Sequence, residues 1–303
     1  MRALACPASL KGVLSAGEAA AALAGGFRRA RVEAQALPVA DGGEGTAAVL
    51  GARVLRRCRV HDAFGRPREA PINALADGTI VVESAEVIPL DPERREVLSA
   101  SSRGLGELLA QVGDCPRLLV CLGGTATMDG GAGLLEVVQE LPAPTIALYD
   151  VRVGLLDAPR LFGPQKGALA EDIATLEQLL AAAEPLQPYA KRAGAGAAGG
   201  LGAALASLGA ELVSGAQFVL EAVRFRGHAA RSDLVVTGEG TVDQTTFAGK
   251  APGEVLRVCA ELGIRHVLFG GQVTEGFEAQ ALSGDPARAR EDLEDLGFLL
   301  GGA

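Results

Sequence analysis

The sequence predicts an α/β fold built from two domains, and three observations support this. Short apolar segments of strand length alternate with segments of helix length, an order typical of βαβ units with parallel strands. Glycine-rich loops follow several of the apolar segments, at the place where open parallel sheets bind their ligands. The chain has 303 residues, a length at which a single core usually divides into two.

The first part of the chain begins this alternation. "RALAC" predicts a strand, and the next helix opens at Ser15, with Glu18 at capping-box spacing. A second strand, "VEAQALPVA", leads into the turn and short helix of "DGGEGTAAVLGA". The region from Arg56 to Val87 differs, because "FGRP" and "ADGT" are turn sequences between apolar segments. We therefore predict that another subdomain starts in this region.

The rest of the chain returns to α/β order. Helices are predicted for "SRGLGELLAQVG", "LAEDIATLEQLLAAAEP" and "GKAPGEVLRVCAELG", and strands for "RLLVCL", "RSDLVVTGEG" and a last one, "RHVLFGG". "GAGAAGGLGAALASLGAEL" reads as a glycine-rich loop running into a helix of small residues. Because the two ends of the chain look alike, we predict one discontinuous Rossmann-like or flavodoxin-like parallel-sheet domain, residues 1–60 plus 230–303. A second α/β domain, residues 61–229, would be inserted into it.

Composition excludes several classes of function. Hydrophobic residues make up 49% and charged residues 21% of the chain, a mix typical of folded globular proteins. The formal net charge of −9 argues against a nucleic-acid partner. The five cysteines show no CxxC spacing, so neither a disulfide framework nor a zinc site is indicated. No apolar run has the length of a membrane span. We expect a cytoplasmic protein with small-molecule partners. The sequence does not decide whether the protein forms a homo-oligomer.

Lysine usage is unusual, since only four lysines occur in an arginine-rich chain. Three of them, Lys11, Lys166 and Lys250, lie in glycine-bearing turns: "SLKG", "PQKG" and "AGKA". A lysine kept in such a composition suggests a position that needs a compact ammonium rather than a guanidinium. Chance is the alternative explanation.

Three aspartates follow predicted strands within a few residues: Asp41 in "ADGGEG", Asp129 in "MDGGAG" and Asp243 in "GEGTVDQTT". Carboxylates beside bare glycine backbone suit a phosphate ligand with Mg²⁺, because aspartate holds the hard cation and backbone N–H groups bind the anion. The alternative is that each aspartate caps a helix or shapes a turn. The chain has no Walker A loop and no GxSxG elbow, and "GAGAAG" lacks the preceding strand of a dinucleotide site.

Six motifs together resemble the class I glycerate kinases, bacterial enzymes that phosphorylate D-glycerate with ATP. In chain order they are "CPASLKGVLSAGEAA", "PVADGGEGT", "LGGTATMDGGAG", "FGPQKGA", "GAGAAGGLGAAL" and "VVTGEGTVDQTTFAGKAP". The resemblance runs from the first strand to about Gly271. It implies two α/β domains with the active site in the cleft between them, ATP as the phosphoryl donor and Mg²⁺ as the cofactor.

The residues and the resemblance together define a predicted site. Catalytic roles are predicted for Asp129, Asp243 and Lys11, and Mg²⁺ ligation for Asp41 and Asp243. Substrate or phosphate binding is predicted for Ser9, Asp41, Gly42, Gly43, Gly123, Gly124, Thr125, Lys166, Gly238, Glu239 and Lys250.

The chain departs from the family pattern at several positions, as a diverged and shortened member would. Ala8, Met128, Thr241 and Thr245 stand where the family commonly has Asp, Asn, Arg and Gln. Loss of these polar groups leaves an alternative open, in which a catalytically degenerate homologue binds a nucleotide or a small hydroxy acid as a sensor or scaffold.

Overall fold

The computed structural model describes residues 1–91, 93–94 and 96–302. It confirms the α/β class, with two compact units that each contain a mainly parallel sheet. The first unit comprises Met1–Asp41 and Ala216–Ala303, and the second comprises Gly42–Gly215. No helix in these described ranges has both the length and the apolar character needed to cross a bilayer.

Strands are numbered in chain order through the described residues. They are β1 (Arg2–Ala5), β2 (Glu33–Ala36), β3 (Arg53–His61), β4 (Pro67–Ala74), β5 (Ile80–Glu83), β6 (Leu118–Leu122), β7 (Thr145–Tyr149), β8 (Glu211–Ser214), β9 (Leu234–Val242), β10 (Arg265–Val273) and β11 (Gln280–Ala281).

The α-helices are numbered in the same way. They are α1 (Ala16–Arg29), α2 (Thr46–Val49), α3 (Ser84–Val87), α4 (Arg103–Leu109), α5 (Ala132–Val137), α6 (Ala158–Phe162), α7 (Ala170–Ala182), α8 (Leu201–Ser207), α9 (Gly215–Ala222), α10 (Phe225–Ala229), α11 (Ala251–Leu262) and α12 (Ala289–Gly302). Short 3-10 helices occur between them, among them Gln244–Ala248 after β9.

The sheet of the first unit has the strand order β11-β10-β9-β1-β2, and its strand pairs are parallel. Leu4 in β1 pairs with Val235 in β9, so strands from the two ends of the chain share one sheet. The two-residue strand β11 after "RHVLFGG" was not predicted. Ser15 and Glu18 form the predicted capping box at the start of α1.

Alternate residues of the first sheet contribute to two different cores. Ala3 and Ala5 point into a cluster with residues of α1 and α12, whereas Leu4 and Val235 belong to a cluster with residues of α9 and α11. Because neighbouring strand residues face opposite sides of a sheet, this pattern places helices on both faces. The first unit is therefore a three-layer αβα unit, which suits a parallel sheet buried on both sides.

The sheet of the second unit has the strand order β3-β4-β5-β6-β7-β8. The pairs β3–β4 and β4–β5 are antiparallel, and the pairs from β5 to β8 are parallel. The unit boundaries, 41/42 and 215/216, lie before the predicted positions, 60/61 and 229/230. Residues 53–61 belong with the second unit because β3 pairs with β4, and Ala216, Leu220 and Phe225 pack in a core of the first unit.

Candidate active site

In the first unit, predicted site residues gather at the carboxyl ends of β1, β2 and β9. The chain after β1 continues beside β9, since Ala8 N donates to Gly238 O at 2.9 Å. On the other side of this segment, Val39 N donates to Pro7 O at 3.0 Å, which brings the chain leading to Asp41 alongside. Five of these residues follow the strands: Ser9, Lys11, Asp41, Asp243 and Lys250. Gly238 and Glu239 lie within β9.

Glu239 is the most enclosed charged residue of this group, with 8% of its surface exposed. Thr246 Oγ1 donates to its Oε1 at 2.7 Å, and Lys250 Nζ donates to its Oε2 at 3.1 Å. Burial raises the pKa of Glu239, Lys250 opposes that rise, and the charge of Asp41 adds to it. The Lys250 ammonium is thus fixed by a buried carboxylate, and the two carboxylates are close enough to interact.

Asp243 begins the 3-10 helix Gln244–Ala248 as its N-cap. Its Oδ1 accepts hydrogen bonds from Thr245 N at 2.7 Å and from Thr245 Oγ1 at 2.5 Å. Burial raises the pKa of Asp243, but the hydrogen bonds from Thr245 and the charge of Lys250 outweigh it, so the pKa is lowered. Asp243 is therefore an anionic oxygen donor near neutral pH, and Thr245, one of the departures from the family pattern, holds it in place.

The predicted metal ligands Asp41 and Asp243 are oxygen donors at one sheet edge, the chemistry that Mg²⁺ prefers. Within the described ranges, no group of three or more His, Cys, Asp or Glu side chains is arranged to hold a metal ion. A Mg²⁺ site built from one or two carboxylates and substrate phosphates does not need such a group. These two residues fit that kind of site.

In the second unit, the glycine-rich loop after β6 passes close to the end of β7. A Cβ atom on Gly123 would lie 2.6 Å from Asp150 Oδ2 and 3.1 Å from Gly43 Cα, so a larger residue would have to displace the Asp150 carboxylate. Gly42 lies against Leu148 in β7 by the same measure. Gly124, with φ +64°, continues the loop into the buried Thr125. Two glycine-bearing loops and the Asp150 carboxylate thus meet at this edge.

Lys166 is buried in the second unit, with only 5% of its surface exposed. Its Nζ donates to Thr127 O at 2.6 Å and lies 3.5 Å from Thr125 Oγ1. Burial lowers the pKa of Lys166 to about 8, while the charges of Asp150 and Asp129 act in the opposite direction. This ammonium therefore holds the glycine-rich loop through the carbonyl group of Thr127. It lies within electrostatic reach of the Asp150 and Asp129 carboxylates.

Asp129 organises the loop in which it lies. Its Oδ2 accepts hydrogen bonds from Ser102 N and Ser102 Oγ, both at 2.8 Å, and from Gly133 N at 3.2 Å. Its Oδ1 accepts from Gly131 N at 3.1 Å. Four donors on two oxygens tie the start of α5 to the start of α4. These contacts support the turn-shaping alternative, and the catalytic role of Asp129 stays a prediction.

The predicted residues thus form two sets, one at the carboxyl edge of each sheet. Sequence reasoning missed Asp150, Ser102 and Thr246 as parts of these sets. Asp150 could have been found, because it follows the apolar segment "TIALY" as the other three aspartates follow theirs. Of the departures, Met128 is fully buried and packs with Val97 and two other apolar residues, so it serves the core.

Comparison with known proteins identifies the family. A model of the glycerate kinase family matches residues 3–140 and 145–287. The glycerate kinase of Halalkalibacterium halodurans is 34% identical, over 90% of this chain and 86% of the relative. The glycerate 2-kinase of Escherichia coli K12 is 34% identical, over 91% of this chain and 86% of the relative.

The fold agrees with this relationship. A crystal structure of a protein assigned as glycerate kinase 2 from Salmonella typhimurium LT2 superimposes with a TM-score of 0.77 at 28% identity. The match covers 99% of this chain and 97% of that chain. The family predicted from the six motifs is therefore confirmed, and the chain is an enzyme that belongs to the glycerate kinase family.

Proposed function

We propose that the protein transfers the γ-phosphoryl group of ATP to a hydroxyl of D-glycerate, with Mg²⁺ as the accompanying cation. The observation that carries this proposal is the grouping of the family's motif residues at the carboxyl edges of two parallel sheets. Such edges bind ligands in open α/β sheets. We also propose that the reaction takes place in the cytoplasm, where ATP is supplied.

Phosphoryl transfer is catalysed mainly by positioning and by stabilising charge. In the first unit, Lys11 and Lys250 would supply ammonium groups to phosphate or carboxylate oxygens. Glu239 supports this role for Lys250, because it holds the Nζ atom at 3.1 Å. Asp41 and Asp243 would hold the cation. When bound, Mg²⁺ neutralises negative charge on the transferring phosphoryl group.

In the second unit, the glycine-rich loop after β6 would bind anionic groups of a substrate through backbone N–H groups near Gly124. Positive φ angles such as that of Gly124, +64°, are a feature of anion-binding backbone nests. The buried Lys166 adds positive charge beneath this loop. This set is suited to a small carboxylate or phosphate ligand.

A coupled assay of ADP release tests the proposal with D-glycerate and Mg·ATP as substrates. Turnover that depends on both substrates is expected, and phosphorus NMR of the product would identify the hydroxyl that is phosphorylated. Thermal-shift measurements with each ligand run beside the assay. Ligand-dependent stabilisation without turnover would contradict the proposal and favour the alternative, a degenerate homologue that acts as a sensor or scaffold.

A further inference from the structure

We propose that Asp150 accepts the proton of the substrate hydroxyl, and that Lys166 is the positioning residue that holds the neighbouring glycine-rich loop. The inference rests on the proposed kinase activity, because it assigns the proton acceptor for that reaction. Neither the motif analysis nor the comparisons give Asp150 a role.

The position of Asp150 is the first argument. It directly follows β7, which lies between β6 and β8 in the second sheet. Its Oδ2 lies 2.6 Å from the place that a Cβ atom on Gly123 would occupy, and Gly43 Cα lies 3.1 Å from the same place. The carboxylate thus lies close to the backbone of Gly123, and the loop of Gly43 approaches the same point. An anionic substrate held by those loops would place its hydroxyl beside Asp150.

The environment of Lys166 is the second argument. The side chain is almost fully enclosed, and its Nζ donates to Thr127 O at 2.6 Å, so it holds the glycine-rich loop from the protein side. Asp150 and Asp129 are the carboxylates whose charges act on this ammonium, with Asp150 the larger influence. Lys166 therefore fixes the loop beside Asp150 and places a positive charge within electrostatic reach of that carboxylate.

The contacts of Asp129 argue against this residue as the proton acceptor. Its two oxygens accept four hydrogen bonds from Ser102, Gly131 and Gly133, which joins two helix starts. A proton transferred to Asp129 would compete with those donors and weaken the loop. Asp129 is therefore assigned to maintaining the loop and not to proton transfer.

The proposed step balances. The hydroxyl oxygen of the substrate forms a bond to the γ-phosphorus of ATP as the bond from that phosphorus to the bridging oxygen breaks, and ADP leaves with the bonding electron pair. The hydroxyl proton passes to an Oδ atom of Asp150 and then to solvent. No other reactant is required.

The first test measures the pairing without relying on activity. The chain has only four lysines, so the NMR spectrum of protein labelled at its lysine side chains contains few signals. Substituting one lysine at a time assigns each signal, and a pH titration then gives the pKa of Lys166. Asp150→Asn should lower the pKa of Lys166, because it removes an opposing negative charge. Asp129→Asn should lower it less, and the exposed Asp157→Asn control should leave it unchanged. An unchanged pKa in Asp150→Asn would overturn the pairing.

The second test measures the proton transfer. Asp150→Asn should lower kcat by about 10²-fold or more, the usual scale for loss of a general base, with KM for both substrates close to wild type. Asp150→Glu, which keeps the carboxylate, should retain more activity than Asp150→Asn. Equal losses in the two variants, or kcat of Asp150→Asn within a few-fold of wild type, would overturn the assignment.

The two proposals fail in different ways. A wild-type protein that does not phosphorylate glycerate would refute the proposed function and the proton transfer with it, while the Lys166 titration would still decide the pairing. A wild-type protein that turns over, with an active Asp150→Asn variant, would leave the proposed function standing and refute only the role of Asp150.

Discussion

Replacing Asp129 by Asn should destabilise the second unit, and the structure gives the size of the effect. Asn has nearly the same shape and keeps the Oδ1 atom that accepts from Gly131 N. At the other position, an amide NH₂ replaces the oxygen that accepts from Ser102 N and Gly133 N. The N–H groups of Ser102 and Gly133 would then face the NH₂ group of Asn, which cannot accept their hydrogen bonds. Ser102 Oγ can rotate to accept from the new amide, so it is not counted as a loss.

Hydrogen bonds to a charged acceptor contribute about 1.5–3 kcal/mol each to stability. Losing two of them gives an expected cost of about 3 kcal/mol or more. For a unit of this size, 1 kcal/mol corresponds to about 2–4 °C in Tm, so the expected decrease is roughly 6–12 °C. If Asp129 were instead the proton acceptor with no part in holding the loop, Asn would leave stability unchanged and lower turnover by about 10²-fold.

Urea denaturation followed by circular dichroism, together with calorimetry and the ADP-release assay, separates these outcomes. Asp114→Asn is the matched control, since it makes the same substitution at an exposed position of the same unit. A free energy of unfolding for Asp129→Asn within about 0.5 kcal/mol of wild type, the usual range for harmless surface changes, would refute the loop-organising role.

Three further predictions follow from the burial and contacts described. Gly199→Ala should destabilise the protein far more than Gly209→Ala. Both residues have positive φ, but a Cβ atom on Gly199 would lie 1.9 Å from a carbonyl oxygen, whereas Gly209 faces open space. Equal denaturation midpoints for the two variants would contradict this prediction. Lys166→Met should reduce the pH dependence of stability. Burial lowers the pKa of Lys166 from 10.5 to about 8 in the folded state, so the unfolded chain binds the extra proton between those values. Wild-type stability should therefore rise with pH across this window relative to the variant, by on the order of 3 kcal/mol; parallel curves from urea titrations at pH 7.5 and 10 would count against it. Lys11→Ala and Lys250→Ala should each weaken nucleotide or glycerate binding in calorimetric titrations. Arg at either position should not restore binding, because a guanidinium is larger than an ammonium and planar. Full affinity in both alanine variants would exclude a role for these lysines in binding.

Local features of the fold could be predicted from the sequence. The capping box of Ser15 and Glu18, the apolar segment that forms β6 and the long helix α7 depend on residues a few positions apart, so their signals are contained in short stretches. The βαβ order of the N-terminal part and the joining of both chain ends in one sheet followed from the same alternation. The family could be predicted because six ordered motifs are far more specific than any one of them.

The partners of the site residues were decided by tertiary structure. Three contacts join residues on different elements. Ser102 donates to Asp129, Lys166 donates to Thr127 O, and Asp150 lies close to Gly123. No local pattern specifies them, because they depend on which strands are neighbours and how the loops between them pack.

The same reason explains where the units divide. The residues from Arg53 to His61 have a sequence pattern that a strand of either sheet could have. Only the pairing of this strand with β4 places it in the second sheet. The sequence by itself determined the α/β class and the family. Only the tertiary structure decided which of the predicted site residues are buried, which accept several hydrogen bonds and which carboxylates act on the buried Lys166 ammonium. Burial and hydrogen bonding are set by residues distant in the chain.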